Sequence, residues 1–306
     1  MQNTVKSSVS FDGVGLHSGQ PVRMVLHPAA PDSGVRFRRT DVADLDPVVP
    51  ARWDAVVPSS LCTLIANEDG VSVSTIEHIM AALAGLAIWN VEIEIDGPEV
   101  PIMDGSAAPF VAGILEKGLT AHPAPSRTLR VLRPVEVRDG AAWARLEPAS
   151  MLEIDFRIDF ADEAIGTQTR ALNMANGAFV RELCDSRTFC RQSDVQAMRE
   201  RGLALGGTLD NAVVFDGAEI LSPGGLRHAD EPVRHKMLDA LGDLALAGAP
   251  LLARYTGNRA GHAMTNRLLR ALFAAEGAVE RDDCDAFVRG KLPGVGVHRG
   301  DLHWLA

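Results

Sequence analysis

Long apolar runs are missing from this 306-residue chain, and none approaches the ~20 residues that a membrane-spanning helix needs. The opening residues, MQNTVKSSV, do not resemble a secretory signal. Cysteine is scarce: Cys62, Cys184, Cys190 and Cys284 form no CxxC pair and no dense framework. That argues against a disulfide scaffold or a structural zinc knuckle and favours a reduced, cytoplasmic chain. Basic charge is in deficit, with 30 Lys+Arg against 40 Asp+Glu and a net charge of −10. Nucleic acid is therefore disfavoured as a generic partner, because neutralising phosphates needs a basic surface. A small anion held by a few local cations is not. What remains, 46% apolar and 23% charged residues, is an ordinary globular composition.

The length exceeds what one core usually serves, so two domains are expected. The stretch AHPAPSR, residues 121–127, has two prolines and no periodicity, which places the boundary there. Domains are expected over 1–126 and 127–278, with a variable tail over 279–306 that carries His298 and His303 and no site. Alternation over 5–11, 22–27 and 35–39 points to an antiparallel sheet. A helix over 74–83, a strand over 89–95 and a helix over 107–117 follow. In the second half, strands are expected over 129–137, 142–146, 152–160 and 212–215, with helices over 176–183 and 194–201. A helix over 231–248, a strand over 251–255 and a helix over 263–276 then repeat the outline of the first half. The fold expectation is α+β: two similar two-layer α/β-sandwich domains packed together, with the site in the cleft between them.

The helix over 231–248, which Asp230 is placed to cap, has two chemically different faces. Val233, Met237, Leu241 and Leu244 form an apolar stripe, while His235, Asp239 and Asp243 recur at i, i+4 and i+8 on the other side, with Gly242 between them. A histidine and a carboxylate one turn apart can converge on a metal ion, yet HxxxD also suits a solvated polar face, and spacing alone leaves both open. Ser74-Thr-Ile-Glu77 has the form of a capping box, in which Glu77 bonds back to its helix start. His78 reads equally as a polar first-turn residue, and His17 as a turn residue among Gly13, Gly15 and Gly19.

Eight motifs in order carry a resemblance: GVGLHSG at 13–19, LCT at 61–63, TIEHIMAAL at 75–83, PIMDGSAAPF at 101–110, SRTF at 186–189, GG at 206–207, RHKMLDALGDL at 234–244 and GHAMTN at 261–266. Together they resemble the UDP-3-O-acyl-N-acetylglucosamine deacetylases, zinc hydrolases of lipid A synthesis in Gram-negative bacteria. The resemblance implies that His78, His235 and Asp239 hold one Zn²⁺, with iron(II) as a competing occupant. It implies Glu77 as general base and His262 as the charged acid, oriented by Asp243. Thr188 would donate to the oxyanion, and Lys236 would be a cation near substrate. Phe189, Leu61, Cys62, Thr63 and Gly207 belong with the substrate-binding set. An insert at about 189–214 would form an apolar passage for the acyl chain. The expected partner is an acylated UDP-sugar, with no nucleic acid, no stable membrane insertion and a monomeric chain. Two other readings stay open: a deacetylase of another N-acetylated sugar, and a catalytically silent sugar-nucleotide binder.

Overall fold

Side-chain alternation builds the first sheet. In the computed structural model, which describes residues 1–302, Val91, Ile93 and Ile95 are buried, while Glu92 pairs with Arg36 and Arg38 and Glu94 with His27. The sheet runs in the order Val9–Val14, Pro21–Pro28, Val91–Ile95, Val35–Arg39 and Val48–Pro50; the pairing of Val35–Arg39 with Val91–Ile95 is parallel and the rest antiparallel. Helices α1 (Glu77–Gly85) and α2 (Ala108–Lys117) share its core, with Phe110 edge-on to Phe11 at 5.0 Å between ring centroids.

The second sheet is organised on the strand Leu251–Asn258. It pairs antiparallel with Ala142–Pro148, and parallel with both Glu153–Asp159 and Arg127–Val131. Short helices α3 (Ala178–Glu182) and α4 (Gln192–Glu200) lie between its strands in sequence. Helices α5 (Glu231–Ala245) and α6 (His262–Ala274) cover it: α5 packs on Glu153–Asp159 and Thr167–Asn173, and α6 on Val135–Asp139 and Ala142–Pro148. The class is α+β, and the order helix, strand, helix recurs as α1, Val91–Ile95, α2 and α5, Leu251–Asn258, α6. Among the described residues, no helix is long and apolar enough to cross a membrane.

Several local expectations are corrected. Residues 129–137 make two strands, Arg127–Val131 and Val135–Asp139, because Pro134 has no N–H for a ladder and the Leu132 N–H bonds Ala278 instead. Residues 5–11 likewise divide into Gln2–Val5, which pairs with Leu119–His122, and Val9–Val14. The strand Thr167–Asn173 was not foreseen; it is an edge strand with no buried residue, so it leaves no apolar pattern to read. The stretch expected as a tail begins with a strand, Val279–Asp283, that pairs with Arg127–Val131. His303 lies outside the described residues.

The two sheets meet through α1 and α5. Val233, Met237, Leu241 and Leu244 are all buried, each worth about 1.5–3 kcal/mol of gross burial. Every residue of α1 is buried as well. Their backbones touch at Gly242, where an added Cβ would stand 2.0 Å from the Glu77 carbonyl oxygen and 3.1 Å from the Ala81 nitrogen. Both obstacles are backbone atoms, so Gly242→Ala must force the helices apart. Overpacking of this kind costs typically about 1–3 kcal/mol. We expect denaturant unfolding to report that loss and metal titration to report weakened binding, since His78 and His235 ride on the two helices. Unchanged values in both measurements would show that the contact does not set their spacing.

Candidate active site

The polar face of α5 is not solvated. His235, Asp239 and Asp243 are 3%, 4% and 3% exposed, because α1 lies across them. The start of α5 is fixed by a buried ion pair, in which Glu231 accepts from the Arg187 Nε at 3.0 Å and from the backbone N–H groups of Arg187 and Arg227. Asp230, expected as the cap, makes no capping bond; its carboxylate is taken by Arg234 at 2.6 Å and Arg170 at 2.9 Å. The capping box at 74–77 is also absent. Ser74 ends a strand and bonds Pro98, Thr75 has φ +58°, and α1 begins at Glu77. The Glu77 carboxylate accepts instead from the Thr63 N–H at 3.0 Å.

Three side chains converge where the helix starts meet. The His235 Nε2 lies 3.3 Å and the His78 Nε2 3.6 Å from Asp239 Oδ1, and the two imidazoles stand edge-on at 5.0 Å. One ligand atom from each of His78, His235 and Asp239 falls within 4.8 Å of the others. The His235 Nδ1 donates to the Ser186 carbonyl at 3.0 Å, which fixes the tautomer and leaves the Nε2 lone pair turned inward. Burial holds the His235 imidazole neutral, with its pKa lowered to about 4. Despite its own burial, Asp239 is kept well below the ordinary carboxylate range by the charge of Lys236 beside it. Its Oδ2 accepts from Lys236 Nζ at 2.6 Å, whereas its Oδ1 is buried with no hydrogen-bond partner among the described residues. An orphaned anionic oxygen between two imidazole lone pairs suits a divalent cation.

Beside this triad sit a second carboxylate and a third histidine. Glu77 Oε1 is 3.8 Å from His262 Nε2, and burial raises its pKa above the usual range. His262 opens α6, and its Nδ1 donates to Asp243 Oδ2 at 2.9 Å. Burial disfavours charge on His262, but Asp243 and Glu77 outweigh it and raise the pKa to about 9. The pair thus joins a buried carboxylate to an imidazolium that persists at neutral pH.

A cavity of about 880 Å³ opens from these groups. Thr188, Phe189, Lys236, Leu61 and Gly207 line it, and residues of the 189–214 insert, among them Val195, Met198, Ala212 and Val214, give it an apolar wall. Thr188 is pinned on both sides: its N–H donates to Gly105 and its carbonyl accepts from Val213. Phe189 stands edge-on to His235 at 6.3 Å. Cys62 and Thr63, expected with the substrate-binding set, lie buried behind the wall and do not line the cavity. Thr63 instead bonds Glu77 through its backbone N–H and Asp243 through its hydroxyl.

Sequence reasoning missed two contributors. His17, read as a turn residue, lines the cavity, and its loop is held by the buried Glu99, which accepts from the N–H groups of His17 and Ser18 and from the Thr75 hydroxyl. Glu99 left no signal, since a lone glutamate between two prolines has no periodic or motif context.

The family model LpxC, UDP-3-O-acyl N-acetylglycosamine deacetylase, matches residues 2–274. The chain is 50% identical over 273 residues to the UDP-3-O-acyl-N-acetylglucosamine deacetylase of Phenylobacterium zucineum (strain HLK1), covering 89% of this chain and 93% of that protein. It is 48% identical over 294 residues to the enzyme of that name from Anaeromyxobacter sp. (strain Fw109-5), with 95% of each covered. For the one from Shewanella baltica (strain OS155 / ATCC BAA-1091) the identity is 42% over 302 residues, covering 97% and 98%.

Proposed function

Because the chain belongs to the UDP-3-O-acyl N-acetylglycosamine deacetylase family, whose members hydrolyse an amide, we propose that it removes the N-acetyl group of a UDP-3-O-(3-hydroxyacyl)-N-acetylglucosamine. In this reading it works with one Zn²⁺ held by His78, His235 and Asp239, in the cytoplasm, as a step of lipid A synthesis. The observation that supports the metal is the buried Asp239 Oδ1, which has no hydrogen-bond partner among the described residues while two imidazole nitrogens face it. Two neutral ligands and one anion form a donor set of the kind catalytic zinc uses. The ion, when bound, would supply Lewis acidity toward water and the acetyl carbonyl.

The protein's own groups supply the proton transfers. Glu77, ionised and adjacent to a ligand, takes a proton from the water that adds to the acetyl carbon. The His262 imidazolium, 3.8 Å away, balances the oxyanion and then gives its Nε2 proton to the departing sugar nitrogen as the C–N bond breaks. Acetate and a free amine are the products. Asp243 keeps the ring oriented and charged. Thr188 lines the cavity, where its hydroxyl would be a further donor, and Lys236 presents a charge that Asp239 sustains against burial.

The apolar wall of the insert supports an acylated substrate over a plain sugar. Burying about ten methylenes at roughly 0.8 kcal/mol each gives a large gross term before ordering costs. UDP-N-acetylglucosamine without the acyl chain is therefore expected to lose several powers of ten in kcat/KM. Mass spectrometry of acetyl loss from both sugars, with metal content measured on the same sample, tests the whole reading. Equal kcat/KM for the two substrates would point to a plain-sugar deacetylase, and no acetyl loss from either would leave a silent binder.

A further inference from the structure

We infer that Thr63 is a positioning residue that sets the base and the acid of the reaction against each other by holding Glu77 and Asp243 at once. This inference rests on the roles proposed above for Glu77 and His262. Thr63 is 3% exposed and does not line the cavity, so its polar groups are spent on neighbouring side chains and not on the cavity space. Its backbone N–H donates to Glu77 Oε2 at 3.0 Å, and its hydroxyl donates to Asp243 Oδ1 at 2.5 Å. The direction of the second bond follows from chemistry, since an ionised carboxylate only accepts. Its length is that of a charge-assisted O–H···O⁻ bond.

The two bonds have complementary effects. The terminal torsion of a carboxylate is soft and roughly two-fold, so a single contact leaves its plane free to turn. With Oε2 tied to Thr63, Glu77 is left to present Oε1 to His262 Nε2 at 3.8 Å. With Oδ1 tied to Thr63, Asp243 presents Oδ2 to His262 Nδ1 at 2.9 Å. Glu77 belongs to α1 and Asp243 to α5, so one residue fixes the acid–base geometry across the junction of the two helices. Thr63 is itself held by the strand that follows it, Leu64–Ala66, which pairs with Val56–Val57 and Ser72–Ser74. A misplacement of about 1 Å can cost a reaction 10²-fold, which is the scale on which such a clamp acts.

The test is Thr63→Val, which keeps the shape and the N–H and removes only the hydroxyl. We expect kcat to fall about 10–100-fold with KM within about twofold, with bound metal and Tm retained, and with Thr63→Ser restoring most of the loss; these magnitudes follow from the geometric sensitivity of positioned groups. Because the hydroxyl acts through Asp243, Thr63→Val should cost little more in an Asp243→Asn background. A full kcat in Thr63→Val, a raised KM at unchanged kcat, or an equal loss with and without Asp243 would each overturn the proposal. If Thr63→Val folds poorly, the same cycle with Thr63→Ala and the rescue by Thr63→Ser decide it. Should Glu77→Gln and Asp243→Asn themselves prove fully active, the roles assigned to them fall; if they are impaired and Thr63→Val is not, Thr63 alone falls.

Discussion

Replacing Glu77 by glutamine is expected to lower kcat by about 10²–10⁴-fold, the usual contribution of a general base, while leaving metal content and Tm close to those of the unmutated chain. Glutamine keeps the volume and still accepts from the Thr63 N–H, so the loss isolates proton transfer from packing. The pH profile adds a second signature. Glu77 must be ionised to act, and burial places its pKa above the ordinary carboxylate range, so activity should rise with pH along a limb set by that group. His262 must be charged; it is so below about 9 and loses its proton as pH rises through that value, which sets the descending limb. Glu77→Gln should flatten or displace the ascending limb. Asp243→Asn removes the largest of the carboxylate contributions that raise the His262 pKa, so the descending limb should move to lower pH. The two limbs are coupled apparent values belonging to the pair. Near-normal turnover in Glu77→Gln, with metal and stability retained, would remove Glu77 from the chemistry.

How much of this was legible before the structure depends on whether a residue's partner is near in sequence. The apolar stripe of α5 was legible because its period is local, and all four residues are buried as that period requires. The opposite face was ambiguous for a physical reason: HxxxD looks the same whether water or another helix covers it. Gly242 carries the answer, since only a residue without a side chain lets the α1 backbone approach so closely, but a lone glycine in a helix does not announce its neighbour. Ser74 to Glu77 was misleading in the opposite sense. The local capping pattern is present, yet partners distant in sequence, Thr63 for Glu77 and Pro98 for Ser74, prevailed over it. Asp230 failed as a cap in the same way, drawn off by Arg170 and Arg234. The motifs brought Thr63 to notice without its role, because its partners lie 14 and 180 residues away.

Chelation is expected to abolish activity and to lower Tm, and a limited amount of Zn²⁺ should restore both. Asp239 is a buried anion whose Oδ2 is satisfied by Lys236 and whose Oδ1 has no hydrogen-bond partner among the described residues, and a buried polar oxygen left without a partner costs free energy. His235 is held neutral by its burial, with Nδ1 spent on Ser186 and Nε2 left for a cation. A cation bound there offsets that cost only in the folded chain, so the gain appears as stability as well as rate. At a free concentration 1,000 times Kd the linkage is worth about 4.1 kcal/mol, enough to shift a thermal transition measurably. His235→Ala and Asp239→Ala should therefore lose metal, activity and the Tm response to chelator together. Glu77→Gln should keep the metal and the Tm response while losing turnover, which separates holding the ion from using it. A metal-free preparation that retained full activity, or an Asp239→Ala chain whose Tm still fell on chelation at the same metal stoichiometry, would place the ion elsewhere than on His78, His235 and Asp239.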